Sequence, residues 1–231
     1  MSESTLEVET MPFNDMGSSV THRDLPVPLY KKAEKRVLDI IFSFILILVF
    51  FPLILLVTII IKMDGGPVLF MHRRIGAEGK SFLCFKFRTM VQDAEARLQH
   101  HLQNDPDALA EWQQNQKLKD DPRITRFGRF LRRSSLDELP QLFNVMGGSM
   151  SLVGPRPIIS NEIERYDRYF YHYRRCRPGL TGLWQVSRHA DMTYKRRVEL
   201  DCLYVAHWSI RVDLIILLRT IFTMISARGA F

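Results

Sequence analysis

The feature that most constrains this chain is an apolar run near its beginning, residues 40–61, which contains no charged side chain. As a straight α-helix, such a run would be about 33 Å long, enough to cross a hydrocarbon core of about 30 Å. It predicts a membrane element. The remainder of the 231 residues is sufficient for one globular domain.

Pro52 interrupts this run, where it removes one backbone hydrogen bond and bends a helix. Basic residues flank the run on both sides, and such residues favour the cytoplasm: Lys31, Lys32, Lys35 and Arg36 before it, and Lys62, His72, Arg73 and Arg74 after it. A kinked helix that enters and leaves by one membrane face explains both features. A plain transmembrane span is the alternative, and the sequence leaves both open.

The charge balance indicates an anionic partner, because the formal net charge is +7 and the isoelectric point is near 9.5. Nucleic acid, an acidic membrane surface and a diphosphate substrate would all suit it. Cys84, Cys176 and Cys202 are far apart and form no C-x-x-C pair, so neither a zinc site nor a disulfide framework is indicated. A reducing compartment fits best. Residues 1–30 are polar and aperiodic, and we predict a mobile tail there.

The region after the apolar run predicts a β-hairpin followed by helices. Residues 68–74 and 81–88 alternate as strands around a turn at residues 77–80, which places Lys86 and Arg88 on one strand face. Residues 90–103 and 106–119 are predicted helices, and Asp105 before Pro106 opens the second.

Two further segments have the pattern of amphipathic helices. In residues 124–133, Arg126, Arg129 and Arg132 recur at every third position among apolar residues. This pattern favours a helix at a membrane interface, with a solvated helix face as the alternative. Residues 213–228 alternate apolar clusters with arginines, so they form either a core helix or one that lies on the membrane, with Arg228 near the end.

The acidic pair Asp137 and Glu138 opens a predicted short helix, residues 134–146, which Gly147 ends. The pair could be a simple helix cap, because Ser135 and Glu138 match a capping box. A helix start also keeps a carboxylate ionised and presents free N–H groups to a phosphate, which suits a nucleophile.

Two loops rich in proline and glycine each present an arginine. Arg156 lies between Pro155 and Pro157, after a predicted strand, and Arg177 precedes Pro178 and Gly179. Rigid loops with arginines suit diphosphates, although turns with solvated arginines are an equally simple explanation.

Taken together, these motifs resemble the monotopic bacterial sugar transferases, the phosphoglycosyl transferases, from about residue 35 to residue 231. The likeness rests on six segments in a fixed order: Lys86-Phe-Arg-Thr-Met90, Arg132 with Ser135-Leu-Asp-Glu-Leu139, Gln141-Leu-Phe-Asn144, Met150-Ser-Leu-Val-Gly-Pro-Arg-Pro157, Arg177-Pro-Gly-Leu-Thr-Gly182 and Leu200-Asp-Cys-Leu-Tyr-Val205. The chain looks similar to the short enzymes that start exopolysaccharide synthesis with galactose 1-phosphate on undecaprenyl phosphate.

The resemblance implies an α+β, mostly helical monotopic membrane protein with a re-entrant N-terminal helix, amphipathic interfacial helices and a small β-hairpin. On this basis residues 31–62 are the re-entrant helix, broken at Pro52, and residues 63–231 are a cytoplasmic catalytic domain. It also implies a catalytic dyad, Asp137 and Glu138, that binds Mg²⁺. We predict that the following residues bind substrate: Lys86, Arg88, Arg132, Arg156, Arg177, Gln185 and Asp201.

Two segments depart from the family pattern. Many members break the membrane helix at a Ser-Pro pair, whereas Phe51 precedes Pro52 here. The loop after Gln185 commonly reads Asn-Gly-Arg-Asn, whereas this chain has Val186-Ser-Arg-His-Ala190. That loop therefore supports no inference about the sugar.

The expected reaction transfers a hexose 1-phosphate, galactose or glucose, from a UDP-hexose to undecaprenyl phosphate at the cytoplasmic face of the bacterial inner membrane. Inner-membrane lipids are the other expected partners, nucleic acid is not one, and a homodimer is left open. Two rivals remain: a glycosyltransferase using Asp105-Pro-Asp107 as its D-x-D motif, and a membrane-tethered basic binding module. UMP release from a UDP-sugar supports phosphosugar transfer, UDP release supports the glycosyltransferase, and neither product supports the binding module.

Overall fold

The structure is a computed structural model that describes residues 32–115, 117–187 and 192–225. The predicted tail, residues 188–191 of the loop after Gln185, and Arg228 lie outside the described residues. The helices are α1 (Lys32–Lys62), α2 (Ala94–Asn104), α3 (Pro106–Asn115), α4 (Arg126–Arg133), α5 (Gln141–Gly147), α6 (Ile163–Tyr166), α7 (Phe170–Tyr173), α8 (Leu183–Val186), α9 (Tyr194–Ala206) and α10 (Ile210–Ile225). The strands are β1 (Leu69–Ile75), β2 (Ser81–Phe87), β3 (Ser151–Val153) and β4 (Gly179–Thr181). Short 3₁₀ turns connect several of these elements.

The predicted hairpin is confirmed. Strands β1 and β2 pair antiparallel, with Leu69 opposite Phe87 and Ile75 opposite Ser81. Arg88 lies one residue beyond β2, yet its amide still donates to the carbonyl of Val68 at 2.9 Å. The chain is mostly helical around this hairpin, as expected from the sequence.

A second, two-stranded sheet was missed in part. The sequence predicted a strand at β3, but it predicted a loop where β4 lies, and the two strands pair in parallel. The backbones approach closely at Gly179 of β4 and Gly154, the residue directly after β3: a Cβ on Gly179 would lie 2.1 Å from the backbone N of Gly154. Glycine in a strand often marks a place where another backbone comes close. The proline and glycine residues of this segment therefore wrongly suggested a loop.

Several predicted helices have different bounds. Helix α2 begins at Ala94 rather than at Met90, whose backbone instead forms a β-bridge with Ile124. Helix α3 ends at Asn115. The predicted role of Asp105 is confirmed, because its carboxylate accepts the amide of Ala108 at 3.0 Å.

Helix α1 is anchored to the rest of the chain by buried polar groups on its first turns. Lys35 Nζ lies 2.5 Å from Asp213 Oδ2 of α10, and the Lys35 side chain is only 3% exposed. Asp39 accepts the Ser151 hydroxyl and the Leu152 amide, both at 3.0 Å. These contacts join the start of α1 to α10 and to β3.

The second half of α1 packs on the same body. Val57 and Ile61 are buried with Phe87 and Leu131, which come from β2 and α4. Between the two anchored parts, the apolar side chains around Pro52 are exposed, including Val49 and Phe51. Within the described residues, the segment 33–62 is the one helix long and apolar enough to cross a membrane.

Helix α10 has a buried side and an exposed apolar side. Ile216 is buried in the main core, whereas the apolar side chains on the other face are exposed: Leu214, Leu218, Ile221 and Phe222. The sequence predicted either a core helix or a helix on the membrane. The structure has features of both, because one face belongs to the core and the other is an exposed apolar surface.

We expect the Lys35 to Asp213 ion pair to hold α1 on the domain. Lys35→Met leaves the buried Asp213 carboxylate without its cation, and breaking a buried pair in this way costs about 3–5 kcal/mol. Lys35→Met should therefore lower the unfolding temperature in detergent micelles, and the double variant Lys35→Met/Asp213→Asn should recover part of the loss. The matched control is Lys80→Met, because Lys80 is 79% exposed and pairs with Glu78 on the surface. Equal effects of the two Lys→Met changes would contradict the anchoring role.

Candidate active site

Asp137 lies in a single 3₁₀ turn, Leu136–Glu138, and not in the first turn of an α-helix. The predicted helix over residues 134–146 is therefore wrong as one element. The turn begins after Ser135, whose φ of 55° is left-handed, and α5 starts only at Gln141. The physical reason is Pro140, which has no N–H to donate and so interrupts the helical ladder between the two pieces.

The capping-box interpretation is also wrong, because the Ser135 side chain makes no capping hydrogen bond. The turn is closed by backbone bonds instead: the Glu138 amide donates to Ser135 O at 3.1 Å, and the Leu139 amide donates to Leu136 O at 3.2 Å. Neither carboxylate caps a helix, so both remain available for chemistry.

The acidic pair meets one lysine from β2. Lys86 Nζ lies 2.6 Å from Glu138 Oε1 and 3.7 Å from Asp137 Oδ2. The side chain of Asp137 is 12% exposed and that of Glu138 is 35% exposed. The dyad thus has a buried member and a more open member, bridged by one cation.

Burial is the dominant influence on Asp137. It raises the pKa of the carboxyl to about 6, against the opposing effect of the Lys86 ammonium, while the Glu138 charge raises the pKa further. Arg132 lowers it. At neutral pH the carboxyl is mostly ionised, and it is a stronger base than an ordinary aspartate, as a nucleophile requires.

Asn144 of α5 holds β2, the strand of Lys86, against this turn. Its side-chain amide donates to Leu83 O at 2.7 Å, and its oxygen accepts the Phe85 amide at 2.9 Å. These are the bonds that a third strand would make to the edge of the hairpin. The Gln141-Leu-Phe-Asn144 motif therefore fixes the distance between Lys86 and the acidic pair.

Arg132 approaches the dyad from α4. Its Nε donates to the Thr89 hydroxyl at 2.9 Å. Thr89 in turn sits against Gly128, where a Cβ would lie 2.0 Å from Thr89 O. The close contact between α4 and the segment after β2 thus sets the position of Arg132.

Arg156 lies in the Gly-Pro-Arg-Pro turn that follows β3. Its Cζ is 6.0 Å from the ring centroid of Trp184, and Arg197 Cζ is 5.0 Å from the same ring. Burial lowers the pKa of Arg156, repulsion from Arg197 lowers it further, and Glu138 is among the charges that oppose this. Arg156 is therefore close enough to the dyad to feel its charge.

The other four predicted substrate-binding residues contact parts of the chain other than the dyad. Arg88 pairs with Asp64 and donates to Ile61 O at 3.2 Å, at the end of α1, so it does not converge with Lys86 as predicted. The contacts of the others are as follows: Arg177 Nε donates to Gly148 O at 2.7 Å, Gln185 Nε2 donates to Leu180 O at 3.2 Å, and Asp201 accepts the Tyr166 hydroxyl at 2.6 Å.

Three residues of the site were not predicted from the sequence: Arg197, Thr89 and Asn144. Thr89 and Asn144 were visible only as motif members, because their roles depend on partners far away in the sequence. Arg197 stands four residues before Asp201 in α9, so the two share a helix face. That spacing is the one signal that could have identified Arg197.

The donor set near Asp137 suits a magnesium ion that takes most of its ligands from phosphates. Two carboxylates are adjacent, and among the described residues no group of three or more His, Cys, Asp or Glu side chains could hold a metal. Mg²⁺ typically binds one or two carboxylates together with substrate phosphates and water. The dyad fits that arrangement, provided that Glu138 exchanges its bond to Lys86.

We expect Asp137→Asn to stabilise the fold at neutral pH. The pKa of Asp137 is raised from 3.8 to about 6 on folding, so its ionised form costs stability in full above about pH 7, and the cost disappears as the pH falls toward 4. The gain should reach up to about 3 kcal/mol, at about 1.4 kcal/mol per pKa unit. Thermal unfolding in micelles at several pH values measures it. Asp107→Asn, which changes an exposed carboxylate in α3, is the control, and a stability loss in Asp137→Asn at pH 7.5 would contradict the burial argument.

Known proteins provide independent comparisons. A family model described as bacterial sugar transferase matches residues 30–227. An uncharacterized sugar transferase of Haemophilus influenzae is 48% identical over 203 residues, which are 88% of this chain and 43% of that protein. The undecaprenyl-phosphate galactose phosphotransferase of Salmonella typhimurium is 48% identical over 197 residues, 85% of this chain and 41% of that protein.

A shorter relative matches along most of its length. The exopolysaccharide production protein ExoY of Rhizobium meliloti is 46% identical over 198 residues, which are 85% of this chain and 88% of that protein. The chain thus spans less than half of the first two relatives and most of the third. The resemblance seen in the motifs is confirmed, and this chain belongs to the bacterial sugar transferase family.

Proposed function

We propose that this protein transfers a hexose 1-phosphate from a UDP-hexose to a polyprenyl phosphate such as undecaprenyl phosphate. The observation that carries the proposal is the dyad: a buried Asp137 with a pKa of about 6, 3.7 Å from the Lys86 ammonium. The Salmonella relative is named as a galactose phosphotransferase acting on undecaprenyl phosphate, which supports galactose as the first sugar to test.

The reaction proceeds in two displacements at one phosphorus atom. In the first, an ionised Asp137 oxygen attacks the β-phosphorus of the UDP-hexose, and the bond to the bridging oxygen breaks, so that UMP leaves with the electron pair. In the second, an oxygen of the polyprenyl phosphate attacks the same phosphorus. The bond to Asp137 then breaks, which restores the carboxylate and gives a polyprenyl diphosphate sugar.

The cations divide between the nucleophile and the phosphates. Lys86 stabilises the ionised form of Asp137, and Glu138 holds the ammonium at 2.6 Å. Arg132 supplies charge for the equatorial phosphate oxygens, and Arg156, which feels the charge of Glu138, helps to hold the phosphates of the substrates. Bound Mg²⁺, held by Asp137 and Glu138 with the diphosphate, would offset negative charge as the oxygens crowd the phosphorus.

We also propose the re-entrant topology for α1. Its first turns bind Asp213 and Leu152, and its last turns pack on Phe87 and Leu131, so both ends rest on one body. A helix that crossed the bilayer would carry its two ends to opposite faces. The exposed apolar part around Pro52 then enters the membrane from the cytoplasmic side, where UDP-sugars are made, and returns.

The rival D-x-D glycosyltransferase depends on Asp105 and Asp107. Asp105 accepts the amide of Ala108 at 3.0 Å and so opens α3, which accounts for its presence without chemistry. The rival binding module would need its cations on an accessible surface, whereas Lys86 and Arg156 are grouped around the dyad.

We expect Asp137→Asn to lower UMP release from UDP-galactose by at least roughly 1000-fold, since removal of a nucleophile has effects of that size or larger. Wild-type protein incubated with UDP-galactose alone should gain the mass of one phosphohexose on the peptide that contains residue 137. Asp107→Asn is the control and should release UMP normally. If Asp137→Asn retains near-normal UMP release, the nucleophile is another group, and UDP release that depends on Asp107 would support the D-x-D rival.

The re-entrant topology predicts that positions 18 and 81 share the cytoplasm. In a background without Cys84, Cys176 and Cys202, single cysteines at Ser18 and Ser81 are probed with a membrane-impermeant thiol reagent on intact spheroplasts and after lysis. Both should react only after lysis. Reaction of position 18 in intact cells would show a transmembrane span. Pro52→Ala, which restores a continuous backbone ladder, is expected to shift position 18 toward that outcome.

A further inference from the structure

A second group of arginines lies beside the dyad. Only one of them, Arg156, has a role in the two displacements described above. Arg156 and Arg197 both lie against the indole ring of Trp184, at 6.0 and 5.0 Å from its centroid. Arg74 comes from β1 and donates to Pro157 O at 3.4 Å, within the same turn as Arg156. Guanidinium groups from three separate elements therefore meet at one turn.

This group carries more positive than negative charge among the described residues. Glu162 faces Arg197 at 3.4 Å, and its other oxygen accepts the Ile159 amide at 3.0 Å. Asp201 shares a face of α9 with Arg197, and burial raises its pKa to about 7, so the three arginines face at most two carboxylates from Glu162 and Asp201. Repulsion from Arg197 and Arg74 contributes to the lowered pKa of Arg156. An excess of buried positive charge calls for an anion.

Arg197 has a buried N–H group that is not hydrogen-bonded within the described residues. Its side chain is 9% exposed, and its Nε has no hydrogen-bond partner in the part of the chain that the structure describes. The rings of Trp184 and Tyr194, at 5.0 and 4.9 Å, hold the guanidinium in place through cation–π contact. Ring contacts do not satisfy an N–H group, so a strong acceptor is still required.

We propose that Arg156 and Arg197, backed by Trp184, form a binding site for a substrate phosphate group. This site is separate from the contacts of Lys86 and Arg132 near Asp137, and the inference rests on the proposed function. Phosphate oxygens can come from two sources: the nucleotide phosphate that leaves as UMP, or the phosphate of the polyprenyl acceptor. Both must come close to the dyad, and Arg156 is near enough to feel the charge of Glu138.

Asp201 then acts as a positioning residue rather than as a substrate ligand. It is only 2% exposed. It accepts the Tyr166 hydroxyl at 2.6 Å and lies on the same face of α9 as Arg197. In this proposal Asp201 acts through the Tyr166 hydroxyl and through its charge, which raises the pKa of Arg197, while direct contact of Asp201 with substrate remains the prediction from the sequence.

The test compares Arg197→Gln with Arg196→Gln. Arg196 is the neighbouring arginine on α9, and it is exposed and pairs with Glu199 at the surface. Binding of UDP and of a short-chain polyprenyl phosphate is measured separately by calorimetry in detergent, at constant ionic strength. Loss of charge-assisted hydrogen bonds should weaken the affinity of Arg197→Gln for one ligand by about 10- to 100-fold. Arg196→Gln should bind both ligands as the wild type does.

Each result of this test decides the proposal. Weaker binding of UDP alone assigns the site to the nucleotide, and weaker binding of the polyprenyl phosphate alone assigns it to the acceptor. Unchanged affinity for both ligands, or an equal loss in Arg196→Gln, overturns the site. Because Arg197 is buried and its replacement could disturb the fold, Arg156→Gln serves as a second variant. It must lower the affinity for the same ligand. If wild-type protein releases UMP while Arg197→Gln and Arg156→Gln bind both ligands normally, this site fails and the proposed function stands.

Discussion

The structure depends on the buried charges that fasten α1 to the rest of the described chain. Asp213 is the centre of this contact: it receives Lys35 at 2.5 Å, the Tyr204 hydroxyl at 2.8 Å and the Trp208 indole N–H at 3.0 Å. An apolar surface alone would let α1 slide or turn, since such packing is not directional. Hydrogen-bonded charges fix its position and rotation. Under the re-entrant topology proposed above, these polar groups lie where the helix leaves the lipid.

Under the proposed re-entrant topology, the anchored helix holds the candidate active site next to the membrane. The last turns of α1 pack on Phe87 and Leu131, and these residues belong to β2 and α4. Those two elements carry Lys86 and Arg132 to the dyad. In the proposed reaction, a lipid-borne phosphate and a soluble nucleotide therefore meet at groups that α1 itself supports.

The dyad illustrates a general compromise between stability and reactivity. A buried carboxylate is costly, and burial raises the pKa of Asp137 while Lys86 and Arg132 act in the opposite direction. The balance leaves an ionised group that is more basic than an exposed aspartate. The left-handed Ser135 and the break at Pro140 keep this group in a tight turn, where its oxygens are not used by a helix end. Such local departures from regular structure are typical of functional sites.

The sequence by itself determined the elements whose signals are local. The uncharged run with Pro52, the alternation in β1 and β2, the Asp105 cap and the ordered family motifs were all readable, because each depends on neighbours within a few residues. The family, and with it the dyad as the candidate site, followed from those motifs. Even here composition misled where two glycines allow β3 and β4 to pair, because the partner strand is distant in sequence.

Only the tertiary structure decided which charges meet. In the folded chain Lys86 contacts the dyad and Arg88 contacts Asp64, although the two residues are only two positions apart in sequence. The tertiary structure also buried Asp201, brought Arg197 to the ring that Arg156 also contacts, and made Asn144 the edge partner of β2. The physical reason is that distance and burial in the folded chain determine which partners a long polar side chain binds. Those quantities are set by contacts between residues far apart in sequence, which no local pattern records.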